Sequence, residues 1–173
     1  SAYLTTDEFG IYNTQVDAND QVVVDSADDI INSALSSART LIDVTADGNV
    51  VNLDSVANLT IKYTVLGDVI NGTATAGGNA DATADIDLNV DGAITNLLAT
   101  TDGGDTIIVT GAANAAAGTM DGGVYTADSV GFTVANGIGA ENAVVLAGTE
   151  HISLQNTVGG GINVVNTTNY ETY

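Results

Sequence analysis

DVTADGNVVNLD, residues 43–54, is the stretch on which the reading of this chain turns. Asp43, Val44, Thr45 and Ala46 alternate polar and apolar, the period of a strand with one face in a core. Asp47-Gly48 follows, a dipeptide that favours tight antiparallel hairpins. Val50, Val51 and Leu53 then resume the apolar character. A strand, a hairpin and a second strand is the direct reading.

The same grammar recurs along the chain. Asp91-Gly92, Asp102-Gly103 and Asp121-Gly122 repeat the turn signal. Runs rich in Val, Ile and Thr surround them, at 58–65, 85–90, 105–110, 130–135, 143–147 and 151–156 among others. One segment departs from the pattern. SADDIINSALSSARTLI, residues 26–42, spaces Ile31, Ala34, Leu35, Ala38, Leu41 and Ile42 as a helical stripe, with Ser26 as N-cap and Asp28 and Asp29 in the first turn. The expected fold is therefore a single mainly-β domain over 1–173, an antiparallel sandwich or jelly-roll with one short helix near 27–40. A β-solenoid is the alternative, suggested by 146–166, and the Asp-Gly hairpins weigh against it. Val16–Ser26 and Val44–Ser55 align with a single gap, a similarity that chance produces readily in a chain so rich in Asp, Asn and Val.

Composition narrows the function. The chain of 173 residues carries 22 acids against two basic residues, Arg39 and Lys62, for a formal charge of −20. Its 14% charged content lies well below the usual quarter, so cations have been lost rather than anions gained. Such a surface does not attract nucleic-acid phosphates or anionic membranes. Its natural partners are cations, basic surfaces, or copies of itself once repulsion is neutralised. No apolar run reaches the length of a membrane span. There is no cysteine for a disulfide or thiolate, and no proline to interrupt a strand ladder.

Two acidic stretches are candidate cation sites. In 43–54, Asp43, Thr45, Asp47, Gly48 and Asp54 occupy positions 1, 3, 5, 6 and 12 of a loop that resembles those of EF-hands and dockerins, with Thr replacing the usual acid at position 3. A plain Asp-Gly hairpin accounts for the same residues. In DATADIDLNVDG, residues 81–92, Asp85, Asp87, Asn89 and Asp91 alternate with Ile86, Leu88 and Val90, which predicts one oily strand face and one face of oxygens. Calcium accepts irregular sets of oxygens and is the expected ion; a merely solvated acidic face is the bland alternative.

Catalysis finds no constellation. His151 is the single histidine, expected to be a partly buried strand residue, and no G-x-S-x-G elbow or phosphate loop is present. Asn58, Asn71 and Asn166 head N-glycosylation sequons.

Gly103-Gly104-Asp105-Thr106-Ile107 resembles half of the RTX nonapeptide, and LAGTEHISLQNTVGGGINVVN, residues 146–166, resembles strand repeats of bacterial S-layer and RTX-type exported surface proteins. The low Lys and Cys and abundant Thr, Ala, Gly, Asn and Asp belong to the same resemblance. It implies an extracellular, calcium-linked structural subunit that self-assembles into a filament, pilus-like fibre, surface layer or biofilm matrix. A calcium-dependent adhesin is the alternative. Residues 1–25, with Tyr3, Leu4, Phe9, Ile11 and Tyr12 ahead of the expected helix, are read as a strand-donating arm that adds to a neighbour's sheet edge.

Overall fold

Ile42, Val44 and Ala46 are fully buried and Asp43 and Thr45 between them are not, so the alternation in 43–46 is that of a strand, Leu41–Ala46. Its neighbours run parallel to it. Val22–Ser26 pairs on one side and Thr60–Val65 on the other, with Val22 beside Ile42 and Ile42 beside Ile61. Parallel strands cannot be joined by a two-residue turn, so the chain must travel round before it returns. It does so through Val50–Val51 and Asp54–Ala57, each paired in parallel with its counterparts one coil before and one coil after. The fold is a β-solenoid.

The computed structural model describes residues 1–77, 85–102, 105–111 and 118–167. Among them are three parallel sheets. Sheet 1 holds eight strands, sheet 2 holds six strands of two residues each, and sheet 3 holds eight. In sheet 1, Ala2, Val22, Ile42, Ile61, Ile86, Ile107, Val130 and Ile152 stack in one inward column, so successive coils take 20, 20, 19, 25, 21, 23 and 22 residues. In sheet 2, Ile11, Ile30, Val50, Val69, Ile94 and Met120 form the matching column, carried on by single bridges to Ile138 and Ile162. These columns meet along the axis as one core. Tyr63, Tyr125 and Phe132 are its largest side chains, with the last two edge to face at 4.9 Å.

The antiparallel sandwich and its hairpins are thereby corrected, and the reason is local. Asp47-Gly48 and Asp91-Gly92 turn the corner between sheets 1 and 2 rather than reversing the chain. Glycine is needed there because coils stack closely. A Cβ on Gly48 would lie 2.4 Å from Asp29 Oδ1, and one on Gly92 would lie 2.5 Å from the Gly67 carbonyl.

The helix near 27–40 is also absent. Its residues form two strands instead, Ile30–Ile31 and Ala34–Ser37, and Leu41 opens the next. Between the two strands Asn32 adopts φ +51°, which no right-handed helix tolerates. The inward side chains are Ile30, Ser33, Leu35 and Ser37, so the helical stripe was an accident of spacing.

Two side-chain ladders hold the corners. Asn13, Asn32, Asn52, Asn71 and Asn96 all have φ of 50–52° between sheets 2 and 3, a conformation that Asn reaches more readily than other non-glycine residues. Asn32, Asn52 and Asn96 each donate a side-chain N–H to the Asn Oδ1 one coil below, at 3.4, 2.8 and 3.3 Å. At the other corner Asp29 Oδ1 accepts from the Asn49 N–H, Asn49 Oδ1 from Asp68, and Asp68 Oδ1 from Ala93, at 2.6, 2.9 and 2.7 Å. These bonds satisfy amide donors that the sheets leave at their turns.

The two buried tyrosines make a paired prediction. Tyr63 Oη donates to Ser55 Oγ at 2.7 Å, whereas the buried Tyr125 Oη has no partner among the described residues. Burial pushes both phenols well above the usual tyrosine range. Tyr63→Phe should cost about 1–2 kcal/mol, since it strands Ser55, while Tyr125→Phe should be neutral or stabilising. Denaturant titration of both variants checks this; equal losses would contradict it.

Candidate functional site

The structure disperses the first acidic stretch. Asp43 and Thr45 stand on the outer face of sheet 1, Asp47 is exposed at the next corner, and Asp54 begins a strand of sheet 3. Asp54 is tied to the next coil, accepting a hydrogen bond from Thr73 Oγ1. The stretch runs along three sides of a coil and does not wrap round one point.

The second stretch keeps its alternation. Ile86, Leu88 and Val90 are buried, and Asp87 and Asn89 face outward. Asp85 is instead buried at the head of the strand, its Oδ2 accepting the Thr106 N–H at 2.9 Å, and Asp91 lies past the strand at the corner. Residues 81–84 lie outside the described residues. Sheet register places Lys62 between Asp43 and Asp87, so one of the two basic residues already sits within the acid column. Thr45, Thr64 and Asn89 form the neighbouring column. Among the described residues no three His, Cys, Asp or Glu side chains gather as a metal ion would require.

Two other carboxylates are electrostatically marked. Asp105 is nearly buried, and burial, then the charges of Asp85, Asp102 and Asp128, hold it above the ordinary carboxylate range. Asp121 lies below that range, chiefly because Oδ1 accepts the Asn142 N–H at 2.8 Å, with further bonds from Asn142 Nδ2 and the Glu141 N–H. The signs are opposite. Asp121 contributes stability that is complete above the unfolded pKa and is lost as pH falls through its lowered folded value. Asp105 costs stability once ionised, so Asp105→Asn should stabilise the fold at neutral pH and lose that advantage on acidification. Melting of both proteins across pH 3–8 checks the prediction; an advantage that grew with acid would contradict it.

His151 lies on the strand His151–Asn156 but is exposed rather than partly buried. It borders a shallow depression on sheet 1, centred where Gly131 sits between Ile108 and Ser153, with Thr106, Ser129 and Glu150 around it. Of the sequon asparagines, Asn58 is exposed, Asn71 belongs to the corner ladder, and Asn166 Nδ2 donates to the Thr149 carbonyl at 3.2 Å. Thr168 of the last sequon, and Gly103 and Gly104 of the RTX-like stretch, lie outside the described residues.

No protein-family model, curated protein or solved structure matches the chain.

The ends of the coil stack hold the residues that sequence reasoning missed. The inward column of sheet 1 is buried from Val22 to Val130, and then Ile152 is 43% exposed. Ile162 in sheet 2 is 48% exposed, against 0% for Ile138 one coil earlier. Leu154 and Val164 complete an apolar end face over strands His151–Asn156 and Val164–Asn166, which are last in the order of their sheets. At the opposite end Ala2–Thr6 and Gln15–Ala18 are the outermost strands, with Leu4, Val16 and Ala18 only partly covered. Residues 1–25 are thus built into the coil stack, paired on one side with the next coil. Tyr3, Phe9 and Tyr12 remain exposed.

Proposed function

We propose that the chain is an extracellular structural subunit that assembles end to end with copies of itself, calcium supporting the joint. The observation that carries this reading is the end face over strands His151–Asn156 and Val164–Asn166, where Ile152 and Ile162 are exposed among the described residues. Strand edges with free N–H and C=O groups invite another strand, and uncapped solenoid ends expose core that a further coil would bury. Continuing the columns of sheet 1 places Ile152 beside Ala2 and Leu154 beside Leu4 of the next subunit. Head-to-tail contacts of this kind do not close, so they generate fibres. Repulsion between subunits of formal charge −20 opposes the joint. Calcium acts in this reading by neutralising carboxylates along the stack whose repulsion opposes assembly, with Asp43, Thr45, Asp47 and Asp54, then Asp87, Asn89 and Asp91, all on inner coils, as the first positions to test and the buried Asp85 after them. Export follows from the resemblance to surface-layer sequences, and no catalysis is assigned.

Electron microscopy and sedimentation of the purified chain, in calcium and in chelator, test the proposal. Fibres that lengthen with calcium are expected, and Ile152→Lys with Ile162→Lys should leave short oligomers or monomers with an unchanged strand signal. A parent chain that stays monomeric at high concentration in both conditions would overturn it. The second reading, a calcium-dependent adhesin, draws on the depression over Gly131 with Glu150 and His151 at its rim; it predicts a monomer that binds a surface ligand.

A further inference from the structure

One outward column of sheet 1 begins with Tyr3 and Val23 in the first two coils and ends with Ile108, Gly131 and Ser153 in the last three. Gly131 is out of place there. Glycine weakens a strand, and inside one it marks a bulge, a bend or a close approach by another group. The ladders from Gly131's strand to Thr106–Gly111 and to His151–Asn156 are regular, and its φ is not positive. A Cβ added to it would meet nothing within 4 Å. Nothing in its own subunit therefore calls for glycine. The space over it is the depression already described, about 460 Å³ in volume, with Ser129, His151 and Ser153 on its rim. At the other end of the column Tyr3 is 68% exposed, its Oη accepting a hydrogen bond from Gln21 Nε2 at the surface.

We infer that the depression over Gly131 receives the ring of Tyr3 from the next subunit; the inference rests on the end-to-end assembly proposed above and names the contact that sets its register. Laying Ala2 beside Ile152 brings Tyr3 beside Ser153 in the same outward column. Strands lie about 4.8 Å apart, so Tyr3 then stands about 5 Å from Ser153 and about 10 Å from Gly131. Ser153 is small, and a ring laid across it reaches the space over the glycine. An aromatic side chain covering a glycine on a neighbouring strand is a known device of sheets. Tyrosine suits this place, because its body is apolar and its hydroxyl finds Ser129 and His151 at the rim. The apolar end face does not choose a register by itself, since a slip of two residues still lays Leu4 on Ile152. In that slipped joint Tyr3 falls beside the bulkier His151 and misses the depression. The ring therefore selects one joint. Leaving Gln21 gives up a single exposed hydrogen bond, and exposed side chains change rotamer freely.

Sedimentation in calcium measures the lowest concentration at which fibres form, for the parent and for variants of both partners. Tyr3→Ser removes the ring, and Gly131→Val fills the depression from within its own subunit. Each should raise that concentration about tenfold, as loss of a tyrosine seated in a pocket does. Gly131→Val should nonetheless melt no lower than the parent, because valine suits a strand and finds room there. Its failure to assemble is then not a failure to fold. The double variant should also need about tenfold more protein, not about a hundredfold, because both changes remove the same contact. Leu66→Ser, which removes a 55% exposed side chain from an inner coil, should assemble as the parent does. An unchanged concentration in either single variant, or about a hundredfold rise in the double, overturns the Tyr3 contact and leaves end-to-end assembly standing. Absence of fibres in the parent overturns both.

Discussion

Phe132→Ala is expected to cost the coil about 3–5 kcal/mol, the largest loss from any single truncation proposed here. Phe132 is fully buried, stacks in register between Val109 and Leu154, and meets Tyr125 edge to face. A cavity left there cannot collapse easily, because the backbone on each side is held by a parallel ladder. The loss should also be local. Each coil of a solenoid contacts its neighbours alone, so stability is close to a sum of coil and interface contributions. Hydrogen exchange should therefore quicken across residues 118–167 and stay near parental rates across residues 1–60. A uniform increase along the chain would mean that the coils fold as one cooperative unit.

Asn52→Ala should destabilise by about 2 kcal/mol although Asn52 is exposed. Its φ of +52° costs alanine about 1–2 kcal/mol, and the 2.8 Å bond to Asn32 Oδ1 is lost as well. Asn52→Gly accepts the backbone conformation and forfeits only the ladder bond, so its cost should stay below about 1 kcal/mol. Glycine would then be better tolerated than alanine, the reverse of the order within a strand. Thermal melting of the two variants decides it. If alanine equals glycine, the ladder bond rather than the left-handed backbone is what the asparagine supplies.

The corner asparagines are also the clearest trace of the fold in the sequence. Ile42–Asn52, Ile61–Asn71 and Ile86–Asn96 are equivalent stretches, each running from an inward sheet 1 residue through the glycine corner to the left-handed asparagine. The similarity noticed instead, between 16–26 and 44–55, matches two different corners of the coil, because Val22 is the equivalent of Ile42. Return segments of unequal length hide the true period. For the candidate cation positions, the outward placement of Asp87 and Asn89 was legible from alternation. The burial of Asp85 and the separation of Asp43 from Asp54 were not, since both depend on where a corner sends the chain.

Outside residues 26–42, sequence by itself determined much of what faces the core: Val and Ile at every second position, with Thr, Asp and Asn between them, set the inward and outward sides of a strand. It determined the surface charge too, and with it the kinds of partner that are repelled. Only the tertiary structure decided with whom each strand pairs. A period of two is the same in parallel and antiparallel sheets, and Asp-Gly serves a hairpin or a close-stacked corner equally well. The choice falls to contacts some 20 residues distant, where each coil lays its Ile and Val columns on those of the coil before and pairs its strand backbones with them.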